Sequence, residues 1–135
     1  QLPLLYFGEK TMNTVISTTK APAAVGPYNQ AIKAGNTVYC SGQIGLDPAT
    51  GTMVEGVIAQ ANRAFDNLEA VLTQAGAKMT DVVKFTIFLT DINDFAQVNE
   101  VMASHVPTPY PARSCMQVAA LPKGALVEVE AIAVI

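Results

Sequence analysis

The chain has no tryptophan, one histidine and two cysteines, and only 14% of its 135 residues are charged. Each shortage removes a class of function. Cys40 and Cys115 lie far apart outside any C-x-x-C pair and His105 stands alone, so Cys and His supply too few ligands for a zinc site. No metal or other cofactor is expected. No apolar run approaches the roughly 20 residues of a membrane-spanning helix, and no membrane partner is expected. Eight Lys plus Arg against eleven Asp plus Glu give a formal net charge of −3. The basic residues are scattered singly from Lys10 to Lys123, which leaves no footprint for a phosphate backbone and argues against nucleic acid as a partner. Neither a P-loop nor a G-x-G-x-x-G follows any expected strand. A chain of this length builds a core without disulfides, and no cleavable apolar leader opens it, so it reads as a reduced, cytoplasmic protein.

What is present is apolar. Half of the residues are hydrophobic and the mean hydropathy is +0.31, high for a small monomer that must cover itself with polar groups. Self-association is therefore expected. The aperiodic residues 1–11 read as an expression remnant or an upstream extension, and residues 12–135 as a single domain.

β-branched and alternating residues predict strands over 14–18, 30–34 and 37–41, with Gly35-Asn36 as a hairpin turn. The period then changes. Val57, Ile58, Ala61, Ala64, Phe65, Leu68, Val71, Leu72 and Ala75 fall on one helical face, and Gly76 is a good stop. A strand over 82–89, apolar on both parities, is expected to be covered on both faces. A second helix follows, capped by Asn93 or Asp94 and striped by Phe95, Val98 and Met102, until three prolines end it. Strands over 112–119 and 125–135 flank the turn Leu121-Pro122-Lys123-Gly124. The order βββ-α-β-α-ββ predicts an α+β domain: a sheet of about six strands with two helices on one face. The last strand is apolar on both parities, so other subunits are expected to cover the opposite face.

Several residues interrupt these patterns. Arg113 in a strand can keep its head in water or offer a planar fork to a small carboxylate. Glu128 and Glu130 break the last strand, as a solvated acidic edge or as a second charged group of a site. A hairpin centred on Pro122 and Lys123 pairs 117 with 128, 115 with 130 and 113 with 132. That puts Arg113, Cys115, Gln117, Glu128 and Glu130 on one face, with Arg113 and Glu128 about 13 Å apart along the strands. Asn99 lies on the apolar side of its helix, where its amide must find a backbone or ligand partner. Tyr28, Ser41 and Gly42 offer hydroxyls and a backbone N–H that could line a pocket. Nothing in the sequence lowers the Cys115 thiol pKa or brings it to His105, so a Cys nucleophile is not expected; His105 suits a helix C-terminus.

The stretches Ala21-Pro22-Ala23-Ala24-Val25-Gly26-Pro27-Tyr28, Ser41-Gly42-Gln43-Ile44, Asp94-Phe95-Ala96-Gln97-Val98-Asn99, Pro111-Ala112-Arg113-Ser114-Cys115 and Val127-Glu128-Val129-Glu130-Ala131-Ile132-Ala133 closely resemble the RidA (YjgF) family of reactive intermediate deaminases, in order, from Met12 to Ile135. The resemblance implies a chorismate-mutase-like α+β homotrimer with ligand clefts between subunits. It implies cofactor-free hydrolysis of 2-imino acids such as 2-iminobutanoate and 2-iminopropanoate to 2-oxo acids and ammonia, which spares pyridoxal-phosphate enzymes. Carried over, Arg113 binds the substrate carboxylate and Glu128 positions or deprotonates the attacking water. Tyr28, Ser41, Gly42, Asn99 and Cys115 line the cleft, Cys115 through its backbone N–H. The alternative is a non-catalytic trimer that binds small carboxylates or regulates a partner protein; a second carboxylate facing an anionic ligand argues against it. A chorismate-mutase reaction would rest on fold alone, and Arg113 has no basic companion for a dianion.

Overall fold

A computed structural model describes residues 13–135; the reading of residues 1–11 lies outside them. The strands are β1 (Thr14–Ile16), β2 (Ala31–Ala34), β3 (Thr37–Gln43), β4 (Val82–Leu89), β5 (Ala112–Gln117) and β6 (Val127–Val134), and the helices are α1 (Val57–Gln74) and α2 (Phe95–His105). The expected α+β class holds for these residues, as one six-stranded mixed sheet ordered β1-β2-β3-β6-β4-β5.

Helix α1 forms where the three-and-four apolar spacing predicts it. It ends in a complete Schellman motif: Gly76 has φ 83°, its N–H reaches Thr73 O at 3.0 Å and the Ala77 N–H reaches Leu72 O at 2.9 Å. Phe65, Leu68, Val71 and Leu72 on its inner face are fully buried against Val38, Phe85, Ile87, Leu89, Val127 and Val129 of the sheet. Phe65 and Phe85 meet edge to face, with centroids 5.7 Å apart. His105, the last residue of α2, stacks on Phe65 at 5.4 Å and bonds Asn62 Oδ1 through Nε2 at 2.8 Å. The lone histidine thus fastens α2 to α1.

The expected hairpin between the last two strands does not form. Strand β5 pairs in parallel with β4, while β6 crosses over to lie between β3 and β4, antiparallel to both. The reason is topological. Helix α2 makes β4-α2-β5 a crossover unit, which sets β5 beside β4 in parallel. Crossing from β3 through α1 to β4 leaves a gap, and only a strand suited to a central position can fill it. Strand β6 is that strand: Val127, Val129, Ala131 and Ala133 are all buried, whereas β5 is mostly exposed and stays at the edge.

Two smaller expectations also change. Asp94 stands at the N-cap position of α2 as expected, but its side chain makes no capping hydrogen bond; a 3-10 turn, Ile92–Asp94, precedes the helix, and Asp91 Oδ1 caps that turn by accepting the Asn93 N–H at 2.9 Å. Val101 joins Val98 and Met102 in the buried stripe, while Phe95 is 36% exposed. Among the described residues of one protomer, strand β4 is covered on one face only. Among the described residues, no helix lies on the other face of the sheet, where Val15, Tyr39, Met116 and Val134 are exposed and Ile32, Phe88 and Ile132 half-buried.

Candidate active site

The strand order splits the residues expected on one face. Arg113 aligns with Phe85, which points into the helix-covered core, so Arg113 and Cys115 lie on the helix side. Glu128 aligns with Phe88 and Glu130 with Thr86, on the opposite parity of β4, so both glutamates lie on the open side. Gln117 keeps the parity of Arg113 and accepts the Ile92 N–H at 2.9 Å. The expected 13 Å cross-strand neighbourhood of Arg113 and Glu128 is replaced by two separate half-sites on opposite faces of the sheet.

The first half-site is built by α2 against the sheet edge. The Arg113 guanidinium donates through Nη1 to Asn99 Oδ1 and lies within 3.8 Å of Met102 Sδ. Its Cζ lies over the Phe95 ring, 5.1 Å from the centroid. Phe95, Asn99 and Met102 fall on successive turns of α2, so helical periodicity alone brings all three to the edge strand. Asn99, Met102 and Arg113, together with Ala103, Tyr110 and Pro111, line a cavity of about 380 Å³. Phe95, Met102 and Tyr110 were not among the expected site residues. The signal for Phe95 was available, since an aromatic at a helix start on an otherwise narrow stripe is free to stack on a cation.

The second half-site lies where β3 is irregular. Between Cys40 and Gln43 the register with β6 slips by one residue, a bulge that carries Ser41 and Gly42 out of the ladder and toward Glu128. The Glu128 side chain occupies the space over Gly42; a Cβ added there would lie 2.9 Å from Glu128 Cγ and closer still to its carboxylate. Glycine is required by this approach. Ser41 donates its hydroxyl to Asn29 O at 2.6 Å. Tyr28, Ser41, Gly42, Lys123, Glu128 and Glu130 share a cavity of about 600 Å³. Pro22 and the buried Gln30 also line it, and Gln30 ties that wall to the preceding segment: its Oε1 accepts the Thr18 N–H at 2.7 Å and its Nε2 donates to Pro22 O at 2.7 Å.

The electrostatics differ between the halves. Partial burial pushes the Glu128 carboxyl above its ordinary value, and the Glu130 charge pushes the same way. Burial also raises the Cys115 thiol, against a smaller lowering by Arg113, and Cys40 is pushed up to about 12 by burial. Neither thiol is activated. Among the described residues no group of three or more His, Cys, Asp or Glu is placed to hold a metal ion.

Comparison with known proteins adds relatives to this geometry. The profile of the family described as Endoribonuclease L-PSP matches residues 18–135. A goat (Capra hircus) protein named 2-iminobutanoate/2-iminopropanoate deaminase is 53% identical over 121 residues, 89% of this chain and 88% of the goat protein. Among solved structures, RidA from the Antarctic bacterium Psychrobacter sp. PAMC 21119 superposes with a TM-score of 0.89 at 55% identity, covering 90% of this chain and 99% of that one. E. coli TdcF with bound serine gives 0.85 at 44% identity, covering 90% and 98%. With the match spanning nearly all of the described residues, the chain belongs to the Endoribonuclease L-PSP family, the RidA/YjgF family that its motifs resemble.

Proposed function

We propose that this protein hydrolyses 2-imino acids, 2-iminobutanoate and 2-iminopropanoate among them, to 2-oxo acids and ammonia, in clefts completed between copies of the chain. The observation that carries the reading is the Arg113 half-site: an exposed guanidinium already oriented by Asn99 and Phe95 and opening on a cavity, the fork geometry suited to a small carboxylate. Serine, the ligand of the E. coli relative, likewise carries a carboxylate beside a nitrogen-bearing carbon. The names of the curated relatives support the same substrate class.

The chemistry asks for orientation more than for activation. A protonated imine beside a carboxylate is already electrophilic at carbon. Arg113 fixes the carboxylate, and Glu128 accepts a proton from water as its oxygen bonds that carbon. Glu128 returns that proton to the carbinolamine nitrogen; as the C–N bond breaks and ammonia leaves, the carbinolamine hydroxyl gives its own proton to Glu128 and becomes the carbonyl of the 2-oxo acid. A carboxylate near the iminium also stabilises the positive charge. Tyr28, Ser41 and the backbone at Gly42 border the water side, with Asn99 and the Cys115 main chain on the carboxylate side.

Because Arg113 and Glu128 occupy opposite faces of one sheet, a single protomer does not offer both to one small substrate. A homotrimer, whose three interfaces each join the Arg113 half of one copy to the Glu128 half of the next, meets this requirement and covers the open face. A cytoplasmic site of action accords with two free thiols. A carboxylate-binding module without turnover is the weaker reading, since Glu128 would oppose an anionic ligand.

The test generates 2-iminobutanoate with a threonine dehydratase and follows 2-oxobutanoate release with and without this protein. Acceleration is expected. Separately inactive Arg113→Ala and Glu128→Gln proteins, unfolded and refolded together, should then recover about a quarter of wild-type turnover, because each mixed ring of three carries one intact pair. No acceleration by the wild type would refute the activity, and no recovery on mixing would refute the shared cleft.

A further inference from the structure

Helix α1 buries two amides in an otherwise apolar face: Gln60 is 5% exposed and Asn67 0%. A hydrophobic residue would fill either position without desolvating an amide, so packing alone does not explain them. Both bond backbone that lies outside the strand ladders. Gln60 Oε1 accepts the Leu126 N–H at 2.8 Å, two residues ahead of Glu128. Asn67 Nδ2 donates to Ile44 O at 3.1 Å and Leu46 O at 2.9 Å, just beyond Gly42. Gln60 bears on this second segment as well, through its main chain: a Cβ on Gly45 would come within 2.7 Å of Gln60 Cα. One residue of α1 therefore touches both backbone segments that enclose Glu128.

The position of the Glu128 carboxylate depends on how those segments sit. It rests over Gly42 in the space of a missing side chain, so a slide of residues 42–46 against 126–128 would move the carboxylate in its cavity. We propose that Gln60 is a positioning residue for Glu128, setting the carboxylate's place by holding the Leu126 N–H with its side chain while its backbone fixes the segment after Gly42. This rests on the reading of Glu128 as the group that handles water. The other charged groups facing the same cavity are Glu130 and Lys123, and both are unchanged by a substitution at Gln60.

Gln60→Met keeps the volume and removes the acceptor. Carbon-13 NMR titration of the Glu128 carboxyl, assigned with Glu128→Gln, reports its environment whether or not the protein is active. In Gln60→Met the titration midpoint should fall toward the ordinary carboxyl range by about half a pH unit or more as the group gains solvent. The turnover of 2-iminobutanoate should fall on the order of tenfold, while affinity for unreactive 2-oxobutanoate, read at the Arg113 half, changes less than about twofold. Gln60→Glu, which restores an acceptor, should recover most of the loss. Leu68→Ala serves as a control that loses stability without moving the midpoint. If Gln60→Met does not fold, Gln60→Asn withdraws the acceptor by one methylene and gives the same readings. An unmoved midpoint in the folded variant, an equal loss in Gln60→Glu, or the same midpoint shift in Leu68→Ala overturns the proposal. Should the wild type fail to hydrolyse imines, the proposed activity falls, yet the titration still decides for or against Gln60.

Discussion

At the scale of single residues, the two charged groups of the site are prepared in opposite ways. Arg113 is kept exposed and oriented, with Asn99 on one nitrogen and the Phe95 ring under its Cζ; Glu128 is half-buried beside a like charge. Truncating Arg113 to Ala should weaken 2-oxobutanoate binding by roughly 1.5–3 kcal/mol, the usual worth of a charged hydrogen-bonded pair, as measured by calorimetry. Glu128→Gln should instead lower turnover and leave that binding near wild type. The raised Glu128 carboxyl also predicts pH behaviour. The fold holds this proton more tightly than the unfolded chain does, so stability from this group is lost as pH rises above the ordinary carboxyl value, and Glu128→Gln removes that slope in thermal melts across pH. Activity runs the other way, since the base must be ionised. Its acid limb should therefore lie above the ordinary glutamate range, and Glu130→Gln, which withdraws the neighbouring charge, should move the limb to lower pH in a kcat/KM profile. Cys115, with its thiol raised by burial, should be replaceable by Ala with appreciable hydrolysis retained; complete loss in an assembled protein would point to covalent catalysis.

At the scale of elements, two glycines four residues or fewer from each other do different work for steric reasons. A Cβ at Gly42 meets the end of a flexible side chain, Glu128, whereas a Cβ at Gly45 meets the backbone of α1 at Gln60. Gly42→Ala should leave the melting temperature little changed and reduce imine turnover, because the carboxylate yields. Gly45→Ala has no such escape and should cost about 1–3 kcal/mol of stability by forcing helix and loop apart, seen in urea unfolding. A reversed pattern would remove the distinction between an approach made for function and one made for packing. Helix α2 has a similar double role: Val98, Val101 and Met102 hold it to the core, and Phe95 and Asn99, along its length, meet Arg113.

At the scale of the whole molecule, the sheet has one finished face and one unfinished. Across the open face Val15, Ile32, Tyr39 and Ile132 align in register, an apolar row that a second copy would bury. Light scattering should give about three chain masses of 14.2 kDa. Tyr39→Asp, which sets a charge in the middle of that row, should shift the mass toward a single chain and abolish hydrolysis, while far-ultraviolet circular dichroism stays native. A folded, trimeric and active Tyr39→Asp protein would locate the interface elsewhere.

The sequence by itself determined the elements and the residue types of the site. The apolar spacing of α1, its stop at Gly76, the Gly35-Asn36 hairpin and the strand character of β6 are local properties, set by side-chain period and backbone preference within a few residues. Arg113, Glu128 and Asn99 were legible because each breaks an apolar pattern. Which of them meet was not legible in the hairpin reading. Adjacency of the last two strands is the natural local choice, yet the helix between β4 and β5 commits β5 to a parallel edge and leaves β6 to fill the centre of the sheet. Because strand side chains alternate, that one change of neighbours sent Arg113 and Glu128 to opposite faces. The same tertiary step decided that Phe95 supports a guanidinium instead of the core, and that Gln60, an unremarkable polar residue in the helical pattern, reaches the backbone ahead of Glu128. These contacts join residues distant in sequence, so only the packed sheet, with every strand's neighbours fixed, could choose them.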